Sequence, residues 1–379
     1  MTNSMLSQIH SLPALIRDIV QPYDEAIRSS LSREWCLGVQ RLFVTGCGDS
    51  HHAALATEWA FEELAGVPCE PMTALQFARY AVKYVPPSSA VIGVSVSGGV
   101  SRTAEALAMA NQVGAQTVAL TANPNGLVGQ AARQTLLVQA PPFPDPPGLI
   151  VPGVRSFTAN QIALCLIAIQ LGEARGNLTR EAADGLRREL WALGDAAERT
   201  LEANDAAAVA LASDWLEATE FVFVGGGPSF AAALFSAAKV LEASGDSAAG
   251  QDTEEWAHLQ YFARAVETPT FIISAGGRDL SRATEVAVAA KTIKRRVAAV
   301  TPTTAASLIA AADRALHFSA GVREMFTPII SAIQCELFAA HRANVIGEPF
   351  FRAFKGGRSI EGGGGISRIR TSERWETLE

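Results

Sequence analysis

The sequence predicts an α/β protein made of two copies of a parallel, helix-flanked sheet, and three observations predict it. Short apolar runs rich in Val, Ile and Phe alternate with longer alanine-rich stretches; the runs end in clustered Gly and Ser; and the whole passage recurs 179 residues further on. Strands covered by helices on both faces read as continuous apolar runs, so this alternation implies a three-layer αβα arrangement around a parallel sheet. Recurrence at nearly half the chain length makes two copies of one doubly wound domain.

The elements follow in order. Residues 1–40 read as an N-terminal helical segment, and 41–175 as the first copy. There RLFVTG leads through Gly-Cys-Gly into an alanine-rich helix, and further strands follow at 90–103 and 116–124. Residues 176–215 form a helical bridge, with Asn177-Leu178-Thr179 as its start. The second copy, 216–345, repeats the plan: EFVFVGGG, then strands at 268–284 and 295–303. The tail, 346–379, carries Gly356-Gly357 and then Gly362 to Gly365, the composition of a mobile or partner-dependent segment.

Composition narrows the function. A chain of 379 residues with 49% hydrophobic and 18% charged residues supports about two domains with a large core. A net charge of -7 argues against nucleic acid or anionic lipid as partners, and the basic cluster Lys291, Lys294, Arg295, Arg296 has no interleaved aromatics on which bases could stack. No apolar run of about 18 residues is present and the start does not read as a secretory signal, so neither a membrane span nor secretion is expected. Five scattered cysteines without CxxC spacing suit a reducing cytoplasm. His51 and His52 diverge on a helix, so no metal is expected.

Ligands of open parallel sheets sit at the carboxyl ends of the strands. At those ends stand Gly46-Cys47-Gly48-Asp49-Ser50 and Ser95-Val96-Ser97-Gly98-Gly99-Val100-Ser101. Glycines let backbone approach an anion, helix N-termini offer amides, and serines donate hydroxyls, so the two loops together can cradle a phosphate without a lysine. Helix capping is the competing explanation for either loop alone. No GK[ST] follows, and His51 stands where a dinucleotide fingerprint needs Gly or Ala. A nicotinamide-dependent oxidoreductase is therefore disfavoured, and no cofactor is expected.

CGDS at 47–50, LAGVPCE at 64–70, SVSGG at 95–99, VPGVRSFTANQIAL at 151–164, AAKVLEAS at 237–244 and EEWAHL at 254–259 resemble, in order and spacing, the sugar isomerase (SIS) domain family. The likeness is to the isomerase half of glucosamine-6-phosphate synthase and runs from about residue 40 to 355. It implies two tandem SIS domains and a small-molecule sugar phosphate as ligand. It further implies that Ser50, Ser95 and Ser97 hold the sugar phosphate; Gly48, Gly98, Ser101 and Asp49, which stands where the family has a threonine, complete the expected phosphate-binding loops. Glu242 corresponds to the family's glutamate base, and His258, sixteen residues later, to the histidine that opens the sugar ring. Glu255 matches a glutamate of the same segment, and Lys355 the C-terminal lysine that closes over the sugar. A homodimer with shared active sites is implied too, because the histidine segment serves the neighbouring subunit. The glutamine-hydrolysing domain and its nucleophilic cysteine are not expected in this chain. Val96, Val100, Gly153, Val154 and Arg155 depart from the family pattern, as do Leu259-Gln260 after the histidine.

Aldose–ketose interconversion removes a proton beside a carbonyl or imine and returns it one carbon away, work suited to a carboxylate and a histidine. On an amino or glycated sugar the same step leads to release of ammonia or an amine. The expected function is therefore a phosphosugar isomerase on a phosphorylated amino sugar or glycated amine, with deamination or deglycation as variants. The alternative is a non-catalytic sugar-phosphate sensor. The simpler reading of Glu242 is an exposed i, i+3 ion pair with Lys239, and that of His258 is an amphipathic turn burying Trp256 and Leu259.

Overall fold

The computed structural model describes residues 3–358 and 373–378. Helices α1 (Ser4–His10), α2 (Leu12–Ser30) and α3 (Arg33–Gly38) precede β1 (Arg41–Gly46). Then come α4 (Asp49–Ala60), β2 (Cys69–Thr73), β3 (Ser89–Val94), α5 (Ser101–Gln112), β4 (Gln116–Thr121) and β5 (Gln134–Leu137). Two long helices follow, α6 (Arg155–Arg175) and α7 (Arg180–Asp214). The repeat is β6 (Glu220–Gly225), α8 (Pro228–Ala243), β7 (Ser247–Asp252), α9 (Thr253–His258), β8 (Thr270–Ile273), α10 (Leu280–Thr292), β9 (Val297–Pro302) and β10 (Arg314–Phe318), closed by α11 (Ile333–Ile346).

The chain packs as two compact units. The first comprises Leu15–Pro142, Ser156–Trp191 and the chain from Phe354 on; the second comprises the chain up to Ala14, Phe143–Arg155 and Ala192–Ala353. Each holds one five-stranded, wholly parallel sheet, ordered β2-β1-β3-β4-β5 in the first and β10-β9-β8-β6-β7 in the second. Read by sequence position these are one order, 2-1-3-4-5, so the predicted duplication is real and its fold class is α/β with two like halves. The order reverses between β1 and β3, and again between β6 and β8. That reversal is the topological switch point, where the outgoing loops part to either side and leave a crevice.

Composition explains the layers. β3 is buried at all six positions, as a central strand covered on both faces requires. In the first unit Phe43, Val91, Phe77, Leu107 and Met109 share one core. In the second, Val222, Val224, Ile272, Val286 and Trp256 form the core on one face. Its other face is aromatic: Phe223 stacks on Phe271 at 4.7 Å, and Phe338 of α11 meets Phe271 at 4.8 Å. Thr179 begins α7 by accepting from the amide of Ala182 at 3.2 Å, a helix-capping bond. α6 is long and apolar enough to cross a membrane, yet 83% of its apolar window is buried within the protein, as in a core helix. The glycine run 362–365 lies outside the described residues. Beyond it, Glu373–Leu378 lies along α5: the Trp375 amide donates to Glu105 and its ring sits 4.6 Å from the Arg79 guanidinium.

Candidate active site

In the first unit the loops after β1 and β3 flank the switch point. Gly46, the last residue of β1, has no room for a side chain. A Cβ there would stand 2.7 Å from the Ser50 Cβ and 3.1 Å from the Val94 carbonyl oxygen, so the two loops touch at this glycine. Gly48 is the residue before α4, at φ 55 and ψ -127, a conformation open mainly to glycine. Among the described residues, neither Gly48, the N-cap of α4, nor Val100, the N-cap of α5, makes a side-chain capping bond. Serine capping, the simpler explanation for these loops, is therefore not what holds them.

The serines divide by burial. Ser95 is 2% exposed, and its Oγ takes part in no hydrogen bond among the described residues. Ser101, at the start of α5, is buried, Ser50 is half-buried, and Ser97 is exposed, with Oγ accepting from the Gly99 amide at 3.3 Å. The loop is braced from β4: the Ser95 amide donates to Leu120 O at 3.0 Å, and Asn123 Nδ2 to Ser97 O at 3.3 Å. Gly98, at φ 67, lies so close to Asn123 that a Cβ would meet its carbonyl oxygen at 2.7 Å. Asp49 is 3.8 Å from His52 Nδ1, and burial pushes the His51 imidazole down to about 4, so that ring is neutral at pH 7. The first unit thus brings Gly48, Asp49, Ser50, Ser95, Ser97, Gly98 and Ser101 onto its switch-point loops.

The second unit carries Glu242, Glu255 and His258, whereas Lys355 belongs to the first. Glu242 is near the end of α8, and its carboxylate accepts from the Lys239 ammonium. This corrects the expectation of an exposed pair, because Lys239 is fully buried and its Nζ lies 4.9 Å from the Phe235 ring. Lysine projects from the same helical face as Phe235, Ser236 and Val240, which are all buried. Lys239 was not among the expected site residues, and its burial beside Glu242 is what the structure adds. A buried ammonium needs a counter-charge, and the Glu242 carboxylate lies against it.

His258 ends α9. Its side chain is 67% exposed and its Nε2 lies 3.1 Å from Glu254 Oε1. Arg282 also grips Glu254, at 2.7 Å, and these hydrogen bonds hold that carboxyl below its usual range. Trp256 is fully buried as the simpler reading expected, whereas Leu259 is exposed, which corrects that reading. Glu255 is exposed, with its amide bound by Asp252 Oδ1 at 3.3 Å. Arg155 is engaged by Ser11 and the Phe143 ring. Lys355 is exposed, and its carbonyl accepts from Arg358 at 3.1 Å. Just before it, Phe351 to Phe354 run at φ between 47 and 54, and Arg352 packs on Gly245, three residues beyond Glu242.

Residues 38–170 match the SIS domain. The isomerizing glutamine–fructose-6-phosphate aminotransferase of Gloeobacter violaceus is 28% identical over 345 residues, 89% of this chain and 55% of that protein. Its counterpart from a Synechocystis strain is 27% identical over 361 residues, with 89% and 56% covered. The chain therefore spans about half the length of these curated relatives. Among solved structures, the C-terminal domain of the Francisella tularensis glucosamine-fructose-6-phosphate aminotransferase superposes with TM-score 0.79 at 18% identity, covering 92% of this chain and 97% of that one. Glucosamine-6-phosphate deaminase from Thermotoga maritima gives 0.68 at 16% identity, with 91% and 95% covered. The structural likenesses show the fold. Residues 38–170 thus resemble a SIS domain, and the second sheet repeats the strand order of the first.

Proposed function

We propose that the protein is a phosphosugar isomerase acting on a phosphorylated amino sugar or glycated amine, with release of the nitrogen as a variant of the same chemistry. The observation that carries the reading is the Ser95 hydroxyl, buried and without a partner at the switch point of the first sheet. A buried hydroxyl left unmet costs about 1–3 kcal/mol. A phosphate oxygen satisfies it, and the first turn of α5 supplies amides, with the dipoles of α4 and α5 favourable to the same anion. Ser50, Ser97 and Ser101 complete the donor set, and the glycines keep side chains out of the anion's way.

Glu242 serves as base. It takes the proton from the carbon beside the carbonyl or imine and returns it to the neighbouring carbon, so the enediol or enolamine collapses to the other isomer. Lys239 holds the carboxylate in place by its contact with it. His258 shuttles the hydroxyl proton of ring opening, and Lys355 contributes a cation from the C-terminal segment. The exposure of His258, beside exposed Leu259 and Phe262, supports a homodimer in which this segment serves a second copy of the chain. The names of similar proteins, a glutamine–fructose-6-phosphate aminotransferase and a glucosamine-6-phosphate deaminase, support this substrate class.

Turnover of glucosamine 6-phosphate by the purified protein, read as ammonia and ketose release, tests the reading. Ligand-induced stabilisation without turnover would replace the enzyme with a sugar-phosphate sensor.

A further inference from the structure

The two copies superpose in sequence at their switch points, and one difference there is chemical. Gly227 holds φ 54 and ψ -131 before α8, as Gly48 holds φ 55 and ψ -127 before α4. Ser274 follows β8 as Ser95 follows β3, and its amide donates to Val300 O at 3.0 Å as that of Ser95 donates to Leu120 O at 3.0 Å. Five residues on, the position before the helix is Val100 in the first copy and Asp279 in the second.

That substitution reverses the polarity of the loop. Ser274 Oγ donates to Asp279 Oδ1 at 2.8 Å and accepts from the Gly276 amide at 3.1 Å, so this serine is satisfied where Ser95 is not. The carboxylate presses against the loop after β6. A Cβ on Gly226 would stand 3.2 Å from the Asp279 Cβ and 3.7 Å from its Oδ2. A second carboxylate, Glu324, lies against Gly277 of the loop after β8, where a Cβ would come within 2.4 Å of its Oε2. We infer that the second copy's strand-end loop is an oxyanion site filled by the chain's own carboxylate, Asp279, so that phosphate binding is confined to the first copy. The inference rests on reading the first copy's loops as a phosphate site, because Asp279 then stands where a ligand oxygen would receive the serine proton. Negative charge from Asp279 and Glu324 repels any free anion from the position already taken.

Inorganic phosphate titrated into the ¹⁵N-labelled full chain at pH 7.5 tests this, with backbone amide shifts read separately for each copy. In the wild type, Gly48 and Gly98 are expected to shift with phosphate while Gly226 and Gly227 stay still. Asp279→Val, which installs the residue of the first copy, and Asp279→Ala should each make Gly226 and Gly227 respond at least tenfold more tightly than in the wild type. Asp279→Asn, which keeps the shape and the Ser274 bond, should gain less. Wild-type shifts at Gly226 and Gly227 as strong as those of the variants would overturn the inference, as would folded Val and Ala variants that gain nothing. Silence at Gly48 and Gly98 would instead sink the phosphate reading of the first copy, and the two failures are told apart by which glycines report.

Discussion

Ser95 and Glu242 are single residues whose surroundings set what they do, and each can be tested alone. Replacing Ser95 by Ala removes a donor that has nothing to satisfy it in the free protein, so folding stability should hold or rise slightly. Binding of a sugar phosphate should weaken by about 10- to 100-fold, the worth of one hydrogen bond to a charged group at ~1.5–3 kcal/mol. Thermal melting and calorimetric titration check the two halves of that expectation. Glu242 behaves differently because its carboxylate lies against the buried Lys239 ammonium. Glu242→Ala removes that counter-charge, a loss of up to about 3 kcal/mol, whereas Glu242→Gln keeps an acceptor and should melt closer to wild type. Asp279 and His51 set opposing pH trends. Burial raises the Asp279 carboxyl to about 6 and lowers the His51 imidazole to about 4. Folding therefore takes up a proton at Asp279, whose contribution is present at acid pH and lost as pH rises through about 6. Folding sheds a proton at His51, whose contribution is lost as pH falls from its ordinary value towards about 4. The two slopes offset each other in the wild type. Asp279→Asn removes one of them, so relative to wild type it should be more stable at pH 7–8 and nearly equal near pH 4, as measured by urea unfolding.

The loops and helix starts are the elements that shape the site, and glycine acts in them by two separate mechanisms. At Gly48 nothing stands near the position a Cβ would take, so Gly48→Ala meets only backbone strain, about 1–3 kcal/mol. At Gly225 a Cβ would fall 2.3 Å from the Ser229 carbonyl oxygen, so Gly225→Ala must displace the first turn of α8 and should cost more. Comparing the two melting temperatures separates strain from contact. These elements were largely legible in sequence: continuous apolar runs gave the strands, and Gly with Ser marked the turns that bear the site. Lys239 was not legible in the same way. A charged residue three positions before a glutamate reads locally as a surface pair, and only the packing of α11 and the apolar residues around it reveals that it is buried. The carboxylate of Asp279 was hidden likewise, because its bond to Ser274 depends on a loop geometry that composition does not fix.

For the whole molecule, duplication accounts for the architecture and divergence for the chemistry. Both sheets were readable from one repeat because the same strand order produces the same pattern of apolar runs. The division of labour between copies was not, since it turns on one position before a helix, Val100 in one copy and Asp279 in the other. Partnership between chains is also testable. If the His258 segment serves a neighbouring subunit, mixing inactive Glu242→Gln and His258→Ala proteins under exchange should restore about a quarter of wild-type sites by random pairing of subunits. Activity that stays at the background of the separate variants would place both groups in one chain's site. The decisive experiment is deuterium uptake from D₂O into a hexose 6-phosphate at the carbon beside the carbonyl, followed by NMR. Wild type should exchange that hydrogen, Glu242→Gln should bind the sugar phosphate yet leave the hydrogen in place, and Ser95→Ala should exchange only at raised substrate concentration. Exchange that persists at the wild-type rate in Glu242→Gln, or a wild type that binds the sugar without exchanging it, would contradict the assignment of a phosphate grip and a carboxylate base.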